Sequence, residues 1–296
     1  MKYSSLGDLL EVISADRKLH ISIHINSEHF NSPELMVPLS HKTHTRPFCN
    51  LAKGTAKGFK LCFRCKYLAN KRAKETGVPF AGLCPYGLYE YARPVYHEGH
   101  LICIIYIGNM ITDISEAHRK LNYASSKTGA DTDALLKESE NCLYLPKLDR
   151  KEAFPPEVAQ IGEVVAGYIL LLITHATTKP LRDEGTDNTC YSYRVRELTD
   201  YIQANYMQNI TLKQLAGLYF VNEKYLGRTF KKETGQSVHE YLNRIRMDKA
   251  AHLLVHTTKP ILDVALECGF GSLSHFIRTF KAHTTLTPTD YRARNY

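Results

Sequence analysis

Four cysteines fall close together in the first third of the chain: Cys49, Cys62, Cys65 and Cys84. The Cys62-x-x-Cys65 pair can set two thiolates on one tetrahedral metal, and Cys49 and Cys84 could complete a four-sulfur site for zinc or an iron–sulfur cluster. The same residues could equally be small apolar packing groups, because free cysteine is often buried. Tyrosines crowd the stretch that follows. Tyr86, Tyr89, Tyr91 and Tyr106, with Cys84, form the expected wall of a pocket for a small hydroxylated molecule, since each ring offers an apolar body and one polar tip. His41, His44 and His97 are read as surface or core-satisfied side chains rather than ligands.

A second chemistry lies near the C-terminus, and it is repeated. Leu226, Arg228, Phe230 and Lys231 recur as Phe276, Arg278, Phe280 and Lys281, each 50 positions on. Two aromatic or aliphatic anchors four apart give a helix one buried stripe and leave its other faces polar and basic. Such a helix suits the major groove of double-stranded DNA. The expected contacts are Lys224, Tyr225, Gly227, Arg228 and Lys231 in the first copy. In the second they are Leu273, Ser274, His275, Ile277, Arg278 and Lys281. Arginine can grip guanine with two bonds, and Leu273 and Ile277 could meet a thymine methyl. Lys231, Lys232, Lys281 and Arg292 suit phosphates. No nucleophile–base pair, phosphate loop or paired catalytic carboxylates stands out, so the chain is not read as an enzyme.

The elements that must hold these residues can be read from local rules. Pro260 suits a first helical position, Gly269 a left-handed helix end, Phe270 an apolar plug and Ser272 a cap for the next helix. Thr211 to Gln214 reads as a capping box opening the first copy, and Ser237 to Glu240 as another, opening a helix that spaces the two copies. Ala216 and Ala265 are only 49 apart, so the second turn carries one extra residue within 269–271. Thr287, Pro288 and Asp290 start a last helix. Upstream, helices are expected over 4–14, 62–76, 130–138 and 155–176. A strand is expected over 20–26, and a hairpin over 89–96 and 101–107, turning at Glu98-Gly99. Pro33, Pro38 and Pro47 mark a loop. The fold class is thus a mixed α/β N-terminal domain, residues 1–177, and an all-α C-terminal domain, residues 192–296, with two helix-turn-helix units. The polar, aperiodic stretch 178–191 between them reads as a linker.

Charge is distributed unevenly. From Cys190 onward there are 15 Lys and Arg against 9 Asp and Glu, while the whole chain has 38 against 30. A basic third beside a near-neutral remainder suggests that only the former meets a polyanion. No signal peptide is visible, and the apolar run at 164–173 is shorter than the ~20 residues that a bilayer needs. The chain is therefore expected in the cytoplasm, with no membrane partner, where its eight cysteines stay reduced or ligate metal.

Two resemblances sharpen these expectations. Leu215-Ala216, Arg228, Phe230-Lys231, Gly235, Arg246, Ala250, Leu253-Leu254, Val264-Ala265, Gly269-Phe270, Phe276, Arg278, Phe280-Lys281 and Pro288 make residues 192–296 resemble the AraC/XylS DNA-binding domain. Phe48-Cys49, Cys62-x-x-Cys65, Cys84-Pro85-Tyr86-Gly87-Leu88 and Ala92-x-Pro94-Val95 make residues 5–175 similar to the PocR sensory domain. The chain departs from that pattern at Pro85, where relatives often carry His, and at Lys66, in place of Asp. The resemblances imply a PAS-like sensory fold that responds to a small-molecule effector such as a short diol. They also imply a homodimer and transcription activation, with RNA polymerase as a partner. An alternative keeps the DNA-binding output and drives it by a cysteine-based metal, iron–sulfur or redox sensor. The C-x12-C-x2-C-x18-C spacing does not match the two close pairs of the Ada-type repair proteins.

Overall fold

The structure, a computed structural model, describes residues 5–15, 18–42, 44, 46–146, 154–178, 192–219 and 221–295. The chain forms two compact units, Met1–Tyr193 and Arg194–Tyr296. The linker expected over 178–191 lies outside the described residues, apart from Thr178, the last residue of a helix.

In chain order the first unit contains α1 (Leu6–Ala15), β1 (His20–Ile25), three 3-10 turns between residues 28 and 41, α2 (Pro47–Ala52) and α3 (Ala56–Thr76). Then follow β2 (Phe80–Leu83), β3 (Tyr89–His97), β4 (His100–Ile111), α4 (Ile114–Thr128), α5 (Thr132–Ser139), β5 (Leu143–Tyr144) and α6 (Pro156–Thr178). The strands run β1-β4-β3-β2, antiparallel throughout, and β5 adds parallel to β4. Glu98 and Gly99 both take positive φ, 49° and 77°, which is the two-residue turn whose twist matches a hairpin.

Both faces of the sheet are covered. Ile21, Ile23, Tyr91, Val95, Cys103, Ile105 and Ile107 pack with α1 and α6. On the opposite face Ala92, Ile104 and Tyr106 pack with Ala69 and Ala73 of α3. This is why the alternation expected of β1 gives way to burial on both sides, with Ser22 and His24 buried as well. The bidentate pair Arg93–Glu163, at 2.7 and 3.0 Å, ties α6 to β3. As a whole α6 is long and apolar enough to cross a bilayer, but it buries Val158, Val165, Ala166, Ile169 and Ile173 in the sheet's core. Its other side stays open, with Val164 58% and Leu171 51% exposed.

Some local readings need correction. Pro47 does not sit in a loop: it is the first residue of α2, where its missing N–H costs nothing. The helix expected from 62 begins at Ala56, because Thr55 caps it through the Gly58 amide. Helix α4, capped by Asp113, and strand β2 were not expected.

The second unit is all helical: α7 (Tyr193–Ala204), α8 (Leu212–Leu218), α9 (Glu223–Thr234), α10 (Val238–His256), α11 (Ile261–Glu267), α12 (Leu273–Thr284) and α13 (Pro288–Asn295). Both capping boxes have their reciprocal bonds, Thr211 with Gln214 and Ser237 with Glu240. Pro260 is the cap residue itself, one position before the helix.

Candidate nucleic-acid interface and ligand cavity

The repeat in the sequence is a repeat in packing. Leu226 and Phe230 of α9 are buried, as are Phe276 and Phe280 of α12. Asn222 and Ser272 cap the two helices in the same way, each accepting from the amide three residues on. Gly235 and Thr285 end them with the same left-handed φ, 73° and 69°. The extra residue can now be located. Val221 N–H donates to Ala216 C=O and Phe270 N–H donates to Ala265 C=O, both at 3.0 Å and 49 positions apart. The caps Asn222 and Ser272 are 50 apart, so Gly271 is the insertion.

This packing fixes which side chains face outward. Lys224, Tyr225, Arg228 and Lys231 are exposed on α9, and Leu273, Ser274, His275, Arg278 and Lys281 on α12. Among the described residues Arg228 bonds to its own helix alone, Nε to the Lys224 carbonyl at 3.3 Å, in keeping with an outward guanidinium. Two expected contacts are only partly exposed, though Ile277 still lines a surface groove with Ser274, Arg278 and Lys281. Gly227 is half-buried, and a Cβ there would come 2.8 Å from Leu212 Cδ2, so it serves the close approach of α8. Ile277, at the matching position, leans on the core of the second copy. Arg292 is also reassigned. Its Nε and Nη2 donate to the Leu254 and Lys259 carbonyls at 3.2 and 2.7 Å, which occupies the guanidinium inside the domain.

In the first unit α2, α3 and the α3-side face of the sheet line a part-open cavity of about 80 Å³. Its wall carries Cys49, Cys62, Cys65 and Cys84, with Tyr86 and Tyr89. Two of the expected tyrosines are elsewhere. Tyr91 points to the opposite face of the sheet, with Phe154 at 4.9 Å and Gly162 making room for its ring. Tyr106 lies behind the wall, donating to Asn70 Oδ1 at 2.5 Å. Tyr86 reaches the cavity with its ring, while its hydroxyl donates to the Ala52 carbonyl at 3.0 Å.

The polar end of the cavity comes from residues that local reasoning passed over. His44 Nε2 sits 2.9 Å from Glu90 Oε1 and 3.2 Å from Lys66 Nζ. The Lys66 ammonium in turn lies 2.9 Å from the centroid of the Tyr106 ring. Burial would raise the Glu90 carboxyl, but His44 and Lys66 beside it hold it at about 2. Burial brings Lys66 down to about 8, against the pull of Glu90. Burial and Lys66 together hold His44 below its usual value. His41 is satisfied in the core by the Ile21 carbonyl at 2.7 Å, and His97 meets His29 edge to face, away from the cavity. The departure at Lys66 was the one signal in the sequence that marked this cluster.

A two-copy helix-turn-helix domain is thus one unit of the molecule, and a sheet-and-helix domain with a small part-open cavity is the other. Residues 215–294 match the family described as a helix-turn-helix domain, and residues 34–169 match the sensory domain found in PocR. The chain joins a PocR sensory domain to a helix-turn-helix domain of the AraC type. The HTH-type transcriptional activator RhaS of Klebsiella pneumoniae (strain 342) is 31% identical over 130 residues, 44% of this chain and 45% of that protein. RhaS of Enterobacter sp. (strain 638) is 31% identical over 37% of this chain and 38% of its own length. The chain thus spans less than half the length of these curated relatives. Among solved structures, the C-terminal domain of AraT, a response regulator from Geobacillus stearothermophilus, is 36% identical. It covers 35% of this chain and 87% of its own, with a TM-score of 0.35.

Proposed function

We propose that this protein is a one-component, sequence-specific transcription regulator, an activator, that binds double-stranded DNA through α9 and α12. The observation that carries the reading is the matched pair of helices with buried anchors and outward Arg228 and Arg278. Binding of the full chain to promoter-length fragments should weaken linearly in log–log form as salt rises, by about 0.9 per phosphate neutralised. A flat salt response would remove DNA as the partner. Arg278→Ala is expected to cost about 1–3 kcal/mol of specific binding and to relax discrimination at one base pair. An equal loss on random DNA would make Arg278 a phosphate contact instead.

The input is a small organic molecule such as a short diol, held in the cavity of the first unit. Its size supports this: a water-sized occupant needs roughly 10–15 Å³, so about 80 Å³ takes a molecule of only a few heavy atoms. Its chemistry supports it too, with Tyr86 and Tyr89 as apolar wall and Glu90, His44 and Lys66 as the polar end. At 100 times its Kd the true ligand should stabilise the full chain by about 2.7 kcal/mol, which a thermal-shift screen of short diols would detect. Glu90→Gln should abolish that shift. A diol shift that survives Glu90→Gln would place the ligand elsewhere. The protein acts in the cytoplasm as a homodimer with RNA polymerase as partner; the open side of α6, with Val164 and Leu171, supports the dimer. A second reading drives the same output through the cysteines, by metal, an iron–sulfur cluster or redox. What favours it is that all four of them line one cavity.

A further inference from the structure

The near-neutral charge of the first unit hides an uneven distribution. Helices α3 and α4 together carry ten Lys and Arg against two Asp and Glu, while the rest of Met1–Tyr193 carries 13 against 19. The two helices are neighbours, and residues of both line a groove of about 590 Å³. Leu61, Pro85 and Ala124 give the groove an apolar base, and Arg119, Lys120 and Lys127 line its α4 side. Next to Leu61 on α3, Lys57, Lys60, Arg64 and Lys71 are all exposed. At 3.6 residues per turn they fall within about 60° of one another around the helix, in a row about 21 Å long. Lys66, on the opposite side of α3, lines the ligand cavity instead. A solvated helix face is the competing explanation, and pairing separates the two. Among the described residues only two of these seven cations meet a carboxylate, Lys71 with Glu75 at 3.7 Å and Arg119 with Glu116 at 3.8 Å. Lys57, Lys60 and Arg64 stand three and four positions apart, where like charges repel. An anion laid along the row removes that repulsion.

We propose that the groove between α3 and α4 takes a sugar–phosphate strand of the double-stranded DNA that flanks the bound target, as a second, sequence-independent contact. The inference rests on the DNA-binding reading above and extends it to the first unit. Length selects the partner: a strand of duplex carries a phosphate every ~3.4 Å along its axis, so a row of about 21 Å passes several of them. A single small anion meets only one end of such a row. The cross-section fits as well. The apolar base of the groove suits deoxyribose, and the cations on its two sides suit the phosphates. Such contacts fix position and add affinity without reading bases. The basic C-terminal unit is therefore not the whole of the DNA-facing surface.

The test compares full-length chains on a promoter-length fragment, by titration at several salt concentrations and by hydroxyl-radical footprinting. One double variant combines Lys57→Ala with Arg64→Ala, and another combines Arg119→Ala with Lys127→Ala. Each should lower the log–log salt slope by about 2, roughly one per cation removed, and should weaken specific and random DNA by the same factor. Each should also lose protection at one flank of the footprint while keeping its centre. The charge-keeping pair Arg119→Lys with Lys127→Arg should retain the slope. All these side chains are exposed, so the variants should fold, and helical circular dichroism checks that they do. Slope and footprint unchanged in both alanine variants, with the unaltered chain still steep, would overturn this proposal and leave the role of α9 and α12 standing. A loss confined to binding of phosphatidylserine vesicles would overturn it too, making the groove a lipid-facing surface. A flat salt response of the unaltered chain would overturn the DNA reading itself, and this proposal with it.

Discussion

Gly269→Ala is expected to destabilise the helical unit by about 2–5 kcal/mol, a large part of the ~5–15 kcal/mol that holds a domain together. Two costs combine. Gly269 has φ +81°, a left-handed conformation that costs an L-residue about 1–2 kcal/mol. The added methyl would also come 2.4 Å from the Met207 carbonyl oxygen and 2.8 Å from its Cα. These are backbone atoms that cannot rotate aside, and such overpacking typically costs about 1–3 kcal/mol. Gly271→Ala is the control, because Gly271 is exposed and nothing lies within 4 Å of its added Cβ. It should change stability by no more than about 0.5 kcal/mol. Chemical unfolding of the full chain, followed by helical circular dichroism, makes the comparison. Equal effects at the two glycines would mean that the approach to Met207 does not exist in solution.

Arg246→Ala should cost about 2–4 kcal/mol. Arg246 is only 8% exposed, and Nε and Nη2 donate to the Tyr206 and Gln208 carbonyls at 2.8 and 2.9 Å. Its guanidinium also stacks 5.4 Å from the Phe270 ring. Truncation takes one donor from each of two partly buried carbonyls, of which that of Gln208 keeps the Ile210 N–H, at about 1–3 kcal/mol for a group left unsatisfied. Arg246→Lys should recover only part of this, because an ammonium cannot reproduce the planar fork. Full recovery by lysine would reduce the residue to a simple charge. Arg246 of the spacer helix α10 and Gly269 of the second copy clasp the same three residues, 206–208. Their substitutions should therefore combine non-additively in a double-mutant cycle. A sum of independent effects would mean that α10 and the second copy are not mechanically joined there.

The features legible in the sequence were those set by neighbours in the chain. Capping boxes, a left-handed glycine and a 50-residue repeat are local rules, and they located the starts of α8 to α13 within a residue or so. The features that escaped were set by distant partners. His44, Lys66 and Glu90 come from a loop, a helix and a strand, and no periodicity links them. Tyr91 seemed to belong with Tyr89, yet β3 has a register shift between them, and only Tyr89 reaches the cavity. Arg292 looked like one more surface cation. Only the fold shows that its fork closes the end of α10, as Arg246 closes the loop after α7. The four cysteines, picked out by type and spacing alone, do share one cavity wall.

The two outward faces share a scaffold and differ in what they display: Lys224 and Tyr225 occupy the positions that Ser274 and His275 take in the second copy. On the DNA-binding reading, this inequality gives the protein a heading. A molecule with unlike ends cannot accept its target reversed, so the target must itself be directional. Inverting that target beside a gene would leave affinity untouched, but would reverse the order in which α9 and α12 meet the gene.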